Sequence, residues 1–515
     1  MRRYLLPVFI FCFLFLTTCH KLVITNGTIY YVDPVNGRDL NTGTSPEKPW
    51  ETLEKVCQIK LKAGDHILLK AGKAFNGSLK LNSQHGIEKS PIVISSYGKG
   101  RAVIESTYSM AIRVENCSYI HCKNLILNGS GRLAGSKTDG LLFRAVHHGM
   151  IDSVEVSGYL YSGIHIVGGS DISITQVYAH DNGFSGIFAE SGEPEYGKDG
   201  KAFKTLKNVY VGYSIAENNP GCPAITDNHS GNGILIAGVV HGVIEYCEAM
   251  NNGWDMPREG NGPVGIWAYM SDSVTIQHCY SHHNKTSARG KDGGGFDFDG
   301  GMRYSTLQYN LSAFNEGAGY GIFQYAGATE WADNIARYNI SYNDGGKNSH
   351  AGIFMWCDPM AQLMKSFHAY NNTIVSSMGL GANFEPGAYA EFVFENNLFL
   401  VTGKTDRFVD GNYTLAVFNH NLYWSSFHAR LHQSQPIQNI DAEAVQGDPE
   451  LVLPGSQDPL AIKPDSLQTL PWFYLSPGSP GIKAGIPVTG NGGSDFWNNS
   501  VPANDKPNLG AWQGG

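Results

Sequence analysis

Between residues 163 and 356 the chain repeats one five-residue phrase. The copies are "GIHIV" (163–167), "GIFAE" (186–190), "GILIA" (233–237), "GIWAY" (265–269), "GFDFD" (295–299), "GIFQY" (321–325) and "GIFMW" (352–356). Each reads glycine, large apolar, variable, mostly apolar, variable. Most copies start 23 to 32 residues apart, and the longer step from 186 to 233 leaves room for an inserted loop. A second phrase falls between them, in "EYCEAMNNG", "QHCYSHHN", "QYNLSAFNEG" and "RYNISYNDG". Its central position carries Cys247, Cys279, Asn310 and Asn339, and continues at Asn372, Asn397 and Asn421. Asparagine at one recurrent place in stacked turns forms a ladder of amide hydrogen bonds. Short strands at this interval, with no helical stretch between, predict a solenoid of β-coils. A propeller would need about four strands per blade and a longer period. The expected fold is therefore a parallel β-helix with both open ends covered, because bare strand edges invite further pairing.

Composition agrees. A chain of 515 residues is too long for one ordinary layered core, and its 62 glycines point to many turns. Only 16% of residues are charged and the net charge is −9, which argues against a nucleic-acid partner. The start, "MRRYLLPVFIFCFLFLTTCHK", has two arginines and then an apolar run too short for a comfortable membrane span, the layout of an export signal. Its "LTTC" resembles a bacterial lipobox with Cys19 lipidated, although Thr before the cysteine is atypical; ordinary cleavage nearby is the alternative. An exported protein follows either way, a periplasmic or cell-surface lipoprotein or a secreted one, and a monomer. The nine cysteines include no metal-type C-x-x-C pair and read mostly as small core residues. The expected organisation is a leader over 1–19, an N-terminal segment and cap over 20–90, coils over 91–430 and a closing segment over 431–515.

With these features the chain resembles the secreted right-handed parallel β-helix proteins that include pectate lyases, polygalacturonases and several glycosidases. "YYVDPVNGRDLNTGTSPEKPWETLEKV" (30–56) resembles their opening segment, and "SPGSPGIKAG" with "NDKPNLGAW" resembles their closing one. The resemblance implies an all-β, right-handed parallel β-helix acting on carbohydrate. It says less about the reaction, because the scaffold hosts lyases, hydrolases, epimerases and adhesins.

Strand alternation places the third and fifth residues of each phrase outward. The third-position column reads His165, Phe188, Leu235, Trp267, Asp297, Phe323 and Phe354; the fifth reads Val167, Glu190, Ala237, Tyr269, Asp299, Tyr325 and Trp356. Asp297 and Asp299 thus share one face, bracketed by aromatic rungs about 4.8 Å apart. Flat rings beside carboxylates suit a sugar chain. The bland alternative is a second, minor core under loops. Glu316 and Asp344 sit in turns leading to the next strands, and Asp292 holds a similar position; each also suits a plain turn. The insertion "HHNKTSARGKDGG" adds His282, His283, Lys285, Arg289 and Lys291, either as a polar loop or as an anion-binding edge for a uronate or sulfated sugar. His165 completes the candidate substrate contacts with Trp267, Tyr269, Asp292, Phe323, Tyr325, Trp356 and His283.

Glycoside hydrolysis needs one carboxyl group as acid and another as nucleophile or base. Two carboxylates on one strand face also raise each other's pKa, which keeps an acid protonated near neutrality. The expected chemistry is hydrolysis of a plant or algal polysaccharide or its oligosaccharides by Asp297 and Asp299, with Glu316 as third candidate and no cofactor. The runner-up is a lyase, in which the carboxylates hold Ca²⁺ against a uronate and a Lys or Arg removes the α-proton. "KDGGGFDFDGG" is similar to the Asp-rich calcium segment of some β-helix pectate lyases, but "MGLGANFEPG" (378–387) offers no basic counterpart. A non-catalytic glycan-binding solenoid is the third reading. β-Xylosidase-like β-helix enzymes also use strand carboxylates, yet Gln324 stands near where their second one is expected.

Overall fold

The computed structural model describes residues 27–514, apart from 134, 193–194, 197–201, 204, 348–349, 378–379, 404–406, 426–435 and 455–461. The leader and Cys19 lie outside the described residues. Among the described residues thirty-six strands form one continuous ladder in which every strand pairing is parallel. The protein is a parallel β-helix, coiling in the right-handed sense that parallel connections take. Among the described residues there is one α-helix, Leu53–Cys57, whose first turn is capped by the Thr52 side chain, and no helix long and apolar enough to cross a membrane. The ladder starts early: Ile29–Val32 pairs with His66–Lys70, which pairs with Ile92–Tyr97, so the first rungs lie within residues 20–90.

Each central coil contributes one strand to each of three sheets. Val264–Tyr269, Gly294–Phe298, Tyr320–Gln324 and Ile353–Cys357 belong to the first sheet. Asp272–Gln277 and Thr306–Gln308 belong to the second, and Tyr280–His282 and Leu311–Ala313 to the third. The corner between second and third sheets is a single residue in the left-handed region, at Tyr213, Tyr246, His278, Tyr309 and Tyr338 in turn. Their rings lie in a column, with successive centroids 5.0 to 5.9 Å apart, which stabilises a conformation that costs a non-glycine residue energy.

The interior is a stack of aliphatic and aromatic rungs. Ile164, Ile187, Ile234, Ile266 and Phe296 form one inward column, all fully buried. The repeat predicts that Ile322 continues it, and here the structure corrects the sequence reading. Phe296 pairs with Tyr320, and Ile322 stands opposite Phe298 in the neighbouring inward column. Tyr320 takes the inward place because its ring stacks on Phe296 at 5.3 Å and its hydroxyl donates to the carbonyls of Asn310 (2.8 Å) and Ile340 (2.9 Å).

The asparagine ladder is present. Asn310, Asn339, Asn372 and Asn397 each donate from Nδ2 to the next asparagine's Oδ1 at 2.9–3.1 Å, and Asn421 ends the series by donating to Asp441 Oδ2 at 2.9 Å. A second ladder, which the repeat did not reveal, runs Asn182, Asn219, Asn252, Asn284, Asn315 and ends on Asp344. Asp344 is therefore a buried ladder terminus rather than a groove residue or a plain turn. The seven described cysteines are all free; six are buried and Cys57 is exposed.

The closing segment does more than cover an end. Leu467, Leu470, Phe473, Phe496, Trp497 and Leu509 pack with Tyr309, Leu311, Tyr338 and Ile340 along the outer side of the third sheet. Arg337 ties it down by donating from Nη1 to the Gly490 carbonyl at 2.7 Å. The outer face of the first sheet carries the cavity.

Candidate active site

That face holds a cavity of about 730 Å³, within the usual range for small-ligand sites. Its floor is the outward side of the first sheet: Trp267, Tyr269, Asp297, Asp299, Phe323, Phe354 and Trp356. Loops leading into these strands supply one wall with His229, Arg258, Asp292, Lys291 and His350, and loops leaving them supply Tyr325 and Glu385. Pairing sets the order along the floor. Trp267 is opposite Asp297, which is opposite Gly321, which is opposite Phe354. The two-residue offset thus puts a glycine, and not Phe323, directly beside Asp297.

Gly321 is needed there. A Cβ would lie 2.8 Å from the Phe323 ring and 3.1 Å from Asp297 Cγ. The missing side chain lets ring and carboxyl settle against the same patch of backbone. Asp297 is 3% exposed, and its Oδ1 is buried without a hydrogen-bond partner. Burial, then the charges of Asp299 and Asp292, push its pKa well above the ordinary carboxylate range. Asp299, just past the strand end and partly exposed to the cavity, accepts the Gly300 amide at 2.7 Å. Burial and Asp292 carry it up to about 7. Asp292 accepts the Gly262 amide at 2.7 Å; burial raises it to about 6 against the opposing pull of Lys291 and Arg258. Burial, joined at Asp297 and Asp299 by repulsion from neighbouring acids, thus holds all three above the ordinary carboxylate range.

Aromatic groups frame the acids on both sides. Below, Trp267 is fixed by its Nε1, which donates to Asn232 Oδ1 at 3.1 Å, and it packs with Phe188, Leu235 and Tyr269. Asn232 is held in turn by a 2.9 Å contact with His229 Nδ1. Above, Phe323, Phe354 and Trp356 form a second cluster, with His350 stacked flat on Phe354 at 4.3 Å. Part of the aromatic face is therefore a minor core, as the bland alternative held, and part lines the cavity. Burial and neighbouring cations lower both histidines to about 4: Arg258 acts on His229, and Lys291 and Lys347 act on His350.

Of the candidate residues read from sequence, Asp297, Asp299, Trp267, Tyr269, Asp292, Phe323, Tyr325 and Trp356 meet in this cavity. Three do not line it. Glu316 is bound to the Thr286 amide at 3.0 Å and lies 4.0 Å from Lys347 Nζ. His165 is held between Asp139 and Glu190, both at 3.1 Å; burial opposes its charge, but these bonds outweigh it and lift the pKa to about 9. His283 occupies a left-handed corner after the third sheet, with Nδ1 3.0 Å from His282 Nδ1. Gln324 points inward, where it accepts the Gly301 amide and donates to the Thr329 carbonyl, both at 2.9 Å. Sequence reasoning missed His229, Arg258, His350 and Glu385. All four stand in connections outside the repeated phrase, so no periodic signal marks them. Among the described residues no group of three or more His, Cys, Asp or Glu side chains is arranged to hold a metal ion.

No protein-family model matches the chain. A lacto-N-biosidase of Bifidobacterium longum subsp. longum is 24% identical over 537 residues, which cover 82% of this chain and 32% of that protein. The chain thus spans about a third of the length of the curated relative it matches. Among solved structures, a GH136 lacto-N-biosidase from Eubacterium ramulus superposes with a TM-score of 0.53 at 17% identity, covering 74% of this chain and 67% of that one. The xylose complex of XylC gives 0.50 at 11% identity over 94% and 98% of the two chains. At these identities the likeness is one of fold: the chain has the parallel β-helix architecture that carbohydrate-active enzymes share.

Proposed function

We propose that the protein is a glycoside hydrolase that cleaves an oligosaccharide in this cavity, with Asp297 as general acid and Asp299 as the partner carboxylate. The observation that carries the reading is the pair itself: two carboxyl groups on one strand face, held to different proton affinities. Asp297, desolvated and without a partner for Oδ1, keeps its proton and is poised to give it to a leaving oxygen. Asp299 has the Gly300 amide to stabilise its charge, so it is the member that ionises first and serves as nucleophile or base. Trp267, Tyr269, Tyr325 and Trp356 offer ring faces against which the apolar C–H faces of a sugar stack. The sequence likeness to a protein named lacto-N-biosidase supports a glycosidic substrate. The charged-then-apolar layout of residues 1–19 supports an exported enzyme, with a lipid anchor at Cys19 where the lipobox is used. The chemistry needs no metal ion.

The test is incubation with milk-type, plant and algal oligosaccharides and polysaccharides, read by reducing ends and by absorbance of unsaturated uronates. New reducing ends without that absorbance are expected. Absorbance from unsaturated products would replace the hydrolase with a lyase, and binding without turnover of any glycan would leave a glycan-binding solenoid.

A further inference from the structure

His229 stands in the cavity wall just before the strand Asn232–Ala237, and its neighbours fix where its proton sits. Asn232 is fully buried. One atom of its side-chain amide meets the Trp267 indole N–H at 3.1 Å and the Val264 backbone N–H at 3.4 Å. Both groups can only donate, so that atom is the amide oxygen. The other is the nitrogen, which has two protons to place. One goes to the Phe184 carbonyl at 3.1 Å, and the other faces His229 Nδ1 at 2.9 Å. Nδ1 is therefore an acceptor, because a proton there would set two donors against each other.

A neutral imidazole that accepts at Nδ1 carries its proton on Nε2. Burial and the charge of Arg258 keep this ring neutral, with a pKa of about 4. The ring is also held in place. Phe184 lies 5.4 Å from it, Trp267 meets it edge to face at 5.0 Å, and its backbone amide donates to Asn228 Oδ1 at 2.8 Å. Among the described residues Nε2 has no hydrogen-bond partner. Asn232 thus orients two cavity groups at once, the Trp267 ring and a neutral N–H donor of fixed tautomer.

We propose that His229 is a specificity-determining contact of the cavity: its Nε2–H, fixed by Asn232, donates to one oxygen of a sugar ring that packs against Trp267. The proposal rests on the carbohydrate reading of the cavity and names the residue that reads one position of the sugar. A sugar with a hydroxyl or ring oxygen at that place satisfies the donor, and one without it leaves the donor unmatched.

The tautomer is measured first, on the whole protein without ligand. Histidines are labelled with nitrogen-15, and the His229 signals are those that disappear in His229→Gln. Long-range proton–nitrogen correlation is expected to show Nε2 protonated and Nδ1 bare at pH 7, and still so at about pH 5. A proton on Nδ1, or an imidazolium at pH 7, overturns the proposal. Glucose, galactose, xylose and N-acetylglucosamine are then titrated in turn. Monosaccharides have no glycosidic bond to break, so their binding is read apart from hydrolysis. At least one is expected to shift the Nε2 signals. It should bind His229→Phe, which keeps a ring but no donor, at least about fivefold more weakly, with His229→Gln, whose amide still donates, in between. Both variants are checked for parental melting curves, and if either fails to fold the shifts in the parent decide. Sugars that bind without moving the Nε2 signals, that bind His229→Phe as tightly as the parent, or that fail to bind at millimolar concentration overturn the contact. If a sugar moves the His229 signals but no glycan is cleaved, the hydrolase reading falls and the contact stands. Cleavage that His229→Phe leaves unchanged in both kcat and KM gives the reverse.

Discussion

Replacing Asp299 with asparagine should remove activity and at the same time stabilise the fold at neutral to alkaline pH. The reason is linkage. In the unfolded chain an aspartate ionises near 3.8, whereas Asp299 in the folded protein does so at about 7. Between those values the folded state binds the proton that the unfolded state has lost, so stability falls as pH rises. The loss begins above pH 4 and is complete above pH 7. About three decades at roughly 1.4 kcal/mol each bound the effect at about 4 kcal/mol. Asp299 is partly open to the cavity, where water screens its charge, so about 1–3 kcal/mol is the expected size. Asparagine has nearly the same volume and keeps an oxygen for the Gly300 amide, but it never ionises. Parent and Asp299→Asn are compared by urea unfolding at pH 4 and pH 8. The two should match at pH 4, and the variant should be the more stable by about 1–3 kcal/mol at pH 8. A variant less stable than the parent at pH 8 would mean that the charge of Asp299 supports the turn, and the reasoning fails.

Asp297→Asn should, by the same linkage, leave the fold at least as stable as the parent at neutral pH but lower turnover by at least about a thousandfold on natural glycans, with aryl glycosides of good leaving group less affected. Near-parental turnover would remove Asp297 from the chemistry. Gly321→Ala forces the Phe323 ring and the Asp297 carboxyl apart; an order of magnitude in kcat, with about 1–2 kcal/mol of stability, is the expected loss in steady-state and denaturation assays. Asn339→Leu breaks the ladder between Asn310 and Asn372 and leaves buried donors unmatched, which should cost about 2–4 kcal/mol in chemical denaturation. EDTA should leave turnover intact, because protons alone serve the proposed acid and base. Complete loss restored by Ca²⁺ would favour elimination over hydrolysis.

The coil was legible because its inward positions must be apolar at a fixed interval, and Ile164, Ile187, Ile234 and Ile266 meet that demand openly. The register at the acidic coil was not. Gly321 matches the glycine of the phrase, but Tyr320 before it fills the inward place, and a pattern of residue types cannot tell which neighbour will pack. Alternation placed the acids and aromatic rings on one face, which is why most of the cavity floor was foreseen. His165 broke the pattern for a different reason. Its partners, Asp139 and Glu190, are about 25 residues away on either side, and only folding brings them into contact. The wall residues His229 and His350 come from loops whose lengths follow no period.

The two amide ladders give the solenoid a grammar of length. Every asparagine passes its Nδ2 forward to the next oxygen, and both series stop on an aspartate, a residue whose carboxylate takes hydrogen bonds and has none to pass on. Each works as a full stop. Excising one whole coil between two asparagines would bring a donor against an equivalent acceptor, and the sentence would close up. Cutting away Asp344 or Asp441 would instead strand a buried amide with nothing to receive it. Loss of a whole coil from the interior of a ladder should therefore be tolerated better than loss of the aspartate that ends it.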